Sequence, residues 1–262
     1  MFTNKQLRQL VIPLVLEQVL SVTIGMADTM MVASCGEAAV SGISLVDTIS
    51  VLLIGMFGAM ASGGAVTVAQ YIGKKDRERV ARASNQLFLS VGALALVFMA
   101  LALIGNRQIL TLIYGDIDRE VMHNARIYFY FNAVSFPFLG IYNSGAALFR
   151  AVGNSKVSMQ VSLFSNLLNV AGNALFIYGF QMGVSGAALS TLISRSLSAL
   201  VICFLLLHKG DVPVSRKIGI DRPILHKILY IGVPNGLENS IFQVGKILVS
   251  SLTASFGTAA IT

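Results

Sequence analysis

The sequence predicts an all-α protein that crosses a membrane several times. Hydrophobic residues make up 55% of the 262-residue chain and charged residues only 12%, and the mean hydropathy is +0.75. Globular proteins average roughly 45–50% apolar and about 25% charged residues. The apolar residues also fall in runs of about 20, the length that a helix needs to cross ~30 Å of hydrocarbon. We therefore predict a polytopic transmembrane helix bundle.

The chain contains seven such runs, and they differ in charge. Those without any charged residue are 48–69, 83–106, 127–149 and 157–180. Those with embedded charge are 10–33 with Glu17 and Asp28, 183–207 with Arg195, and 228–255 with Glu238 and Lys246. We predict one lobe of six helices and a seventh helix after it.

Basic residues mark the loops that face the cytoplasm. With the amino terminus inside, fourteen of the 19 Lys and Arg residues fall in cytoplasmic segments. The opposite side receives Arg107, Arg119 and Arg126 beside four acidic residues. This asymmetry follows the positive-inside rule, and it predicts a multi-pass protein of the cell (inner) membrane with a cytoplasmic amino terminus. Because the +7 net charge lies in these loops and not on one aromatic-lined face, nucleic-acid binding is not predicted.

The start of the chain is repeated near its end. Over 29 aligned positions, from Pro13 and from Pro234, eight residues are identical, among them Glu17 and Glu238. An even number of spans separates the copies, so they predict parallel repeats related by an axis along the membrane normal. We divide the chain into a six-helix lobe (1–207), a cytoplasmic linker (208–227) and the first helix of an incomplete second lobe (228–262).

Two carboxylates lie inside the first span. A charged residue at mid-membrane costs about 2.5–3.5 kcal/mol on insertion scales, so it marks a functional site by default. Glu17 and Asp28 are eleven positions apart, which at about 100° per residue places them on one helix face. We expect that face to line a cavity.

Polar side chains in the following spans are candidates for the same cavity. Asn166, Asn169 and Asn173 form one stripe on the fifth span, and Thr191 lies on the sixth span, which follows after a short turn. Amide stripes also hold membrane helices together, so both roles stay open. Carboxylate, amide and hydroxyl oxygens suit a hard cation such as Na⁺, whereas a proton requires only a carboxylate.

The remaining embedded residues are less specific. Tyr128 opens the fourth span near the outer interface, where tyrosines commonly anchor helices. Arg195 requires a partner, which the sequence leaves open among Asp28, Glu17 and backbone carbonyls. Asp47 is expected at the outer mouth, in an interfacial position. No Zn²⁺-type pair, Ser/His arrangement or membrane Asp dyad occurs at usable spacing, so an enzyme is not predicted and no cofactor is expected.

As a set, five segments resemble the multidrug and toxic compound extrusion (MATE) family of the MOP flippase superfamily. They are Pro13 with Asp28 and Gly36, the QYIGK segment at 70–74, NLLNVAGNALFIYG at 166–179, GVSGAALSTLISR at 183–195, and IGVPNGLENSIFQ at 231–243. The resemblance covers the whole chain. It implies twelve helices in two lobes that alternate between outward and inward states and export cationic or amphipathic drugs against H⁺ or Na⁺.

The family resemblance also implies site residues. It places Asp28, Asn169, Asn173 and Thr191 in a cation site, which would be the metal site if Na⁺ is the coupling ion, with Tyr128 as a looser candidate. Many members carry Asp where this chain has Asn173, which favours a proton bound at Asp28. Glu17, Arg195 and Glu238 complete the candidate cation- and substrate-binding residues.

Two alternatives remain open at this stage. A lipid-linked polysaccharide flippase shares the helix plan but favours several cationic residues in its cavity. A membrane sensor or scaffold that does not transport predicts no requirement for Asp28. The expected partners are the bilayer, small-molecule drugs or toxic metabolites, and the missing second lobe of the same chain. Because a lobe cannot alternate against an absent partner, we expect the 262 residues to hold the cation site but not to transport.

Overall fold

The computed structural model describes residues 4–209 and 219–254. Within these ranges the chain forms helices and no strands, in the order α1 (Asn4–Ala33), α2 (Glu37–Gly73), α3 (Arg77–Ile104), α4 (Asn106–Tyr114), α5 (Arg119–Ala151), α6 (Ser155–Asn173), α7 (Val184–Lys209) and α8 (Arg222–Ala254). A π-helical segment, Ala174–Gly179, directly continues α6. The predicted all-α fold is confirmed.

Aspartates begin three of the helices. Asp76, Asp118 and Asp221 each accept a hydrogen bond from a backbone N–H in the first turn of α3, α5 and α8, at 3.0, 2.8 and 3.2 Å. The first N–H groups of a helix have no partner within the helix, so a carboxylate at this position stabilises the start. These aspartates therefore define the residue at which each helix begins.

The predicted spans correspond to long helices, with one addition. The predicted outer loop at 107–122 contains a further helix, α4, whose Tyr114 hydroxyl donates to the Leu45 carbonyl at 2.7 Å. Among the described helices, α1, α2, α3, α6 with its π-helical continuation, and α7 are long and apolar enough to cross a membrane. The other two long helices, α5 and α8, have 33 residues each but a more polar composition. Part of the polarity of α5 comes from residues of the site described below, and part from charged residues in its first two turns.

Helices α2 and α5 form the centre of the bundle. Helix α2 packs against α3, α5 and α8, while α5 packs against α2, α3 and α7. Phe57 of α2 meets Phe98 of α3 and Phe136 of α5 at ring-centroid distances of 5.9 and 6.0 Å. Helix α1 lies to one side, packed mainly against α6, which in turn packs against α7. The α1–α6–α7 layer carries most of the polar side chains discussed below.

Glycines of α2 allow close helix packing at two places. A Cβ atom on Gly63 would lie 2.6 Å from the Gly232 nitrogen of α8, and one on Gly64 would overlap a side chain of α3. A Cβ atom on Gly42 would lie 2.9 Å from the Ala125 nitrogen of α5. Gly55 and Gly58 meet no described atom within 4 Å of such a Cβ.

The two copies of the repeat are both long helices with an internal proline. Pro13 lies inside α1 and Pro234 inside α8. The last eight aligned positions of the second copy, 255–262, lie outside the described residues, as do 210–218 of the predicted linker. The division into lobe, linker and second-lobe helix stays a prediction. Following the loop charges, we refer to the end with turns 34–36 and 180–183 as the outer end and the opposite end as the cytoplasmic end.

Candidate functional site

Asp28 is held by the end of α6. The Asn173 side-chain amide donates a hydrogen bond to the Asp28 carboxylate, and Asn173 is fully buried. Asn173 is the last residue before the π-helical segment Ala174–Gly179. Because π-helical turns occur frequently at functional sites, the change of helix type supports a functional role for this contact. The Asn173 Oδ1 atom is buried without a hydrogen-bond partner.

The next turn of the same α6 face connects to α7. The Asn169 amide donates to the Thr191 hydroxyl at 3.2 Å and to the Ser190 hydroxyl at 3.4 Å. Ser190 in turn donates to the Asn169 carbonyl at 2.7 Å. Gly172 makes this approach possible, because a Cβ atom there would overlap the Ser190 hydroxyl. The structure thus brings together Asn169, Asn173 and Thr191 with Asp28 near the outer end of the lobe.

Arg195 occupies the same region but pairs with neutral groups. Its Nη1 atom donates to Asn132 Oδ1 at 2.5 Å and to the Ser135 hydroxyl at 2.7 Å, both on α5. Its charge also acts on Asp28 and Asp47. No direct ion pair of Arg195 with a carboxylate is found among the described residues. The structure gives Arg195 hydrogen-bond partners on α5 that the sequence analysis did not offer, with Asp28 as a charged neighbour.

Asp47 is exposed at the edge of this site, and its interfacial position stays a prediction. The buried Tyr128 hydroxyl donates a hydrogen bond to the Asp47 carboxylate, which also interacts with the charge of Arg195. Sequence reasoning did not connect Asp47 with the site, because nothing in the order of residues along α2 indicates that its face turns toward α5 and α7. Tyr128, predicted only loosely, is the residue that links Asp47 to the site.

We define the outer cluster by these side chains, contributed by α1, α2, α5, α6 and α7. Its members are Asp28, Asp47, Tyr128, Asn132, Ser135, Asn169, Asn173, Ser190, Thr191 and Arg195. Two carboxylates and one guanidinium give the cluster a formal charge that a single bound proton or cation neutralises. In a low-dielectric environment such a change in charge acts on all members at once. The cluster therefore presents a net negative charge that side chains of five helices share.

Glu17 lies in a separate cluster nearer the cytoplasmic end. Its carboxylate accepts hydrogen bonds from Tyr142 of α5 and Ser158 of α6, both at 3.5 Å. Ser162 also hydrogen-bonds with Glu17, and Arg150 donates to the Ser158 hydroxyl at 3.0 Å. We define Glu17, Tyr142, Arg150, Ser158 and Ser162 as the inner cluster.

Glu17 and Asp28 therefore form two clusters along one face of α1, and a cavity lined by that face stays a prediction. Both carboxylates do turn toward α6, where Glu17 contacts Ser158 and Asp28 contacts Asn173. Eleven residues of helix, however, hold them about 16 Å apart along the α1 axis. The same spacing that aligns the two residues on one face also separates them into two sites.

Glu238 and Lys246 on α8 are not brought to either cluster. Glu238 is exposed, and no hydrogen bond or ion pair of its side chain is present in the described part of the chain. The Lys246 ammonium lies 5.1 Å from the centre of the Phe242 ring. Helix α8 packs on α2, α3 and α4, away from the α1–α6 contact. A role for Glu238 stays a prediction.

Metal-binding chemistry is limited in the described residues. No group of three or more His, Cys, Asp or Glu side chains there could hold a metal ion. The oxygen donors nearest to Asp28 are amide and hydroxyl groups, including the buried Asn173 Oδ1. Such a set suits a weakly bound hard cation or a proton better than a transition metal.

The fold and the outer cluster define a polytopic membrane helix bundle with a carboxylate-centred polar site inside one lobe. The profile of the family described as MatE matches residues 13–175. The chain belongs to the MatE family, a family of transporters.

Curated relatives match along almost the whole chain. The chain is 26% identical over 266 residues to the "Probable multidrug resistance protein NorM" of Thermotoga maritima, covering 98% of this chain and 56% of that protein. It is 25% identical over 258 residues to the "Uncharacterized transporter YisQ" of Bacillus subtilis, with coverages of 95% and 56%. The chain thus spans about half the length of the curated relatives it matches.

Solved structures share the fold. An outward-facing multidrug resistance MATE family transporter of the MOP superfamily superposes with a TM-score of 0.88 at 21% identity, covering 95% of this chain and 55% of that one. A MOP superfamily transporter from Pyrococcus furiosus superposes with a TM-score of 0.87 at 22% identity and the same coverages. At these identities the likeness concerns the fold alone.

Proposed function

We propose that the chain is the amino-terminal lobe of a two-lobe antiporter that exports cationic or amphipathic drugs in exchange for a cation. The MatE family and relatives such as the "Multidrug export protein MepA" of Staphylococcus saprophyticus, 25% identical over 254 residues, support drug export. Because this chain spans about half of such relatives, we assign the other half of the transporter to a second lobe of the same polypeptide. Alternating access then consists of movement of one lobe against the other.

The contact between Asp28 and Asn173 carries the proposal. It joins α1 to the end of α6 at a change of helix type. Binding of a cation at Asp28 removes the negative charge that Asn173 and Arg195 stabilise. An equilibrium between two lobe conformations shifts only if a ligand binds them with different affinity. A carboxylate shared by several helices provides such a difference, and linkage makes cation and drug binding affect each other.

Among the coupling ions, we favour H⁺ over Na⁺. The positive charge of Arg195 in the same cluster opposes a bound proton and a bound Na⁺ alike, so the choice between them depends on the ligands. Asn173 directs its N–H donors toward Asp28, whereas Na⁺ binding requires the amide oxygen. A proton forms an O–H bond with Asp28 and does not require further ligands.

We further propose an inner-membrane location with the amino terminus in the cytoplasm. The basic residues of turn 74–76, and those flanking turn 152–154 and the starts of α3 and α8, support this orientation. The outer cluster then lies in the outer half of the lobe and the inner cluster in the cytoplasmic half.

The flippase alternative has less support in the described residues. An anionic lipid-linked saccharide favours several cations in the cavity, and the outer cluster contains one, Arg195. A scaffold without transport does not require a carboxylate held between α1 and α6. Neither alternative accounts for the position of Asp28.

The decisive experiment measures transport by the two-lobe protein in proteoliposomes. We expect a pH gradient, but not a Na⁺ gradient, to drive ethidium across the membrane. The 262-residue chain alone, reconstituted in the same way, is expected to give no transport. Transport that requires Na⁺ and ignores the pH gradient would contradict proton coupling, and no ethidium transport under either gradient would contradict drug export.

A further inference from the structure

The polar residues of α6 form a continuous stripe that extends beyond the outer cluster. In addition to Asn166, Asn169 and Asn173, the stripe contains Ser158, Ser162 and Ser165. At about 100° per residue, all six fall within a sector of about 100° on one helix face. The three asparagines therefore form the outer half of a longer polar stripe, and the three serines form its cytoplasmic half.

Each end of the stripe contacts a carboxylate of α1. Asn173 binds Asp28 at the outer end, and Ser158 binds Glu17 at 3.5 Å toward the cytoplasmic end. Helix α1 packs mainly against α6, and both helices run from the cytoplasmic end to the outer end. The acidic face of α1 and the polar stripe of α6 thus lie side by side along the length of the two helices.

The middle of the stripe is also hydrogen-bonded. Ser165 donates to the Ser194 carbonyl at 3.5 Å, and Asn169 binds Thr191 at 3.2 Å. Apart from the adjacent Ser165 and Asn166, successive members are three or four residues apart, which is about 5–6 Å on the helix surface. This spacing matches one bridging hydroxyl or water per step, and the stripe supplies the polar partners that buried water requires.

We propose that this stripe is a proton path through the lobe, with Asp28 as its outer station and Glu17 as the group that releases the proton to the cytoplasm. Protonated Asp28 gives its proton to the stripe, and the Glu17 carboxylate takes up one proton. Glu17 then transfers that proton to cytoplasmic water and returns to its charged form. One proton crosses for each cycle, and only O–H bonds are formed and broken. The proposal rests on the proton-coupled antiport proposed above and adds a release site to it.

The groups around each station fit these roles. Glu17 faces Tyr142 and Arg150 from α5, and Ser158 and Ser162 from α6. The positive charge of Arg150 reaches Glu17 through the Ser158 hydroxyl, so it stabilises the carboxylate that remains after release.

The outer station has different neighbours. Asp28 faces Asn173 from α6, Arg195 from α7 and the charge of Asp47 from α2, with Tyr128 of α5 beside Asp47. The outer station thus contains two carboxylates, Asp28 and Asp47, whereas Glu17 is the one carboxylate among the members of the inner cluster.

The test uses the two-lobe transporter in proteoliposomes that contain a pH-sensitive dye, with ethidium as the drug. We expect Glu17→Gln to slow the coupled movement of ethidium and protons about a hundredfold, the lower end of the effect of removing a positioned proton-transfer group. Equilibrium binding of ethidium to each variant is measured separately by fluorescence polarisation. Glu17→Asp should restore part of the coupled movement.

A second variant keeps the proposal testable if Glu17→Gln does not fold. Ser162→Ala removes a stripe hydroxyl without changing charge, and it should slow proton movement without weakening ethidium binding. Matched controls are Glu37→Gln, at the exposed start of α2, and Ser196→Ala, whose hydroxyl donates to the Leu192 carbonyl of its own helix and to no other group among the described residues. Both controls should behave like the unmodified protein.

The outcomes separate the two proposals. If the unmodified protein responds to the pH gradient and both Glu17→Gln and Ser162→Ala match it, the proton path is wrong and proton-coupled export stands. If the unmodified protein does not respond to the pH gradient, proton coupling and the path are both wrong.

Discussion

The outer and inner clusters use the same side-chain types in different arrangements. In the outer cluster, Arg195 donates to Asn132 and Ser135 at 2.5 and 2.7 Å, so the guanidinium is fixed by neutral partners. In the inner cluster, Arg150 reaches the carboxylate of Glu17 through the hydroxyl of Ser158. The outer cluster joins five helices and the inner cluster three. A change of charge in the outer cluster therefore acts on more of the lobe.

The comparison assigns different roles to the two clusters. The outer cluster is suited to changing how helices pack, and the inner cluster to transferring a proton. The helices α1, α5 and α6 take part in both clusters, whereas α2 and α7 take part only in the outer one. We infer that the coupling between ion binding and conformation depends on the outer cluster. The following predictions test that difference.

The largest effect is expected for Asp28→Asn. The amide cannot be ionised, so it cannot alternate between the charged and protonated states on which linkage depends. We predict that drug export falls to the level of cells without the transporter, measured as growth in the presence of ethidium. Asp116→Asn, at an exposed position before α5, is the matched control and should leave export unchanged. Export by Asp28→Asn at the normal level would remove Asp28 from the mechanism.

Arg195→Gln should lower stability as well as export. The change leaves the buried Asn132 Oδ1 and Ser135 hydroxyl without their donor. Loss of a partner for a buried polar group costs about 1–3 kcal/mol, so we expect a lower thermal unfolding temperature in detergent. Lys246→Gln serves as the control, since its ammonium contacts only the Phe242 ring among its described neighbours. Equal unfolding temperatures for the two variants would argue against a structural role for Arg195.

Asn173→Asp should convert the outer cluster toward Na⁺ binding. A carboxylate about 4 Å from a cation contributes about 4 kcal/mol at an effective dielectric constant of 20, and repulsion from Asp28 offsets part of it. We expect Na⁺ affinity to rise at least about tenfold, or 1.4 kcal/mol, measured by ²²Na⁺ binding to the purified chain. Asn166→Asp adds the same charge on the same stripe farther from Asp28 and should increase affinity less. The reverse order would contradict the assigned geometry.

A smaller effect is expected for Gly172→Ala. The added methyl group overlaps the Ser190 hydroxyl, which must move away from Asn169. Overpacking of this kind typically costs about 1–3 kcal/mol, and we expect a lower unfolding temperature with the inner cluster unaffected. Gly92→Ala in α3, where a Cβ meets nothing within 4 Å, should be neutral. A neutral Gly172→Ala would show that α6 and α7 can separate without cost.

Much of the fold and part of the site could be predicted from the sequence. Hydrophobic runs, charged turns and the repeat located the helices, because each signal is local along the chain. The spacing of Glu17 and Asp28, and that of Asn169 and Asn173, predicted which residues share a helix face. These relations depend only on helix periodicity.

Contacts between helices could not be predicted in the same way. Arg195 had three possible types of partner in the sequence, and the structure adds Asn132 and Ser135. Asp47 was assigned to the interface because its position along α2 gives its depth but not the direction it faces. The short helix α4 was not predicted within the outer loop, because a helix of nine residues is too short to give a membrane-span signal.

The repeat shows what the sequence predicts about two helices and what it leaves open about their packing. Pro13 and Pro234, with Glu17 and Glu238 after them, predict two similar helices, and α1 and α8 are both long helices with an internal proline. Helix α1 packs against α6, whereas α8 packs against α2. As a result Glu17 is hydrogen-bonded to Tyr142 and Ser158, while Glu238 remains exposed.

The sequence by itself determined that this chain is a membrane helix bundle, where its helices lie, and that carboxylates and amides line particular helix faces. Composition and periodicity are sufficient for these conclusions, because the bilayer requires apolar helices of a given length. Only the tertiary structure decided that Glu17 and Asp28 belong to two clusters, that Asp47 joins the outer one, and that α6 connects both. Those features depend on which helix faces meet, and packing between helices is set by side-chain shape across the whole bundle.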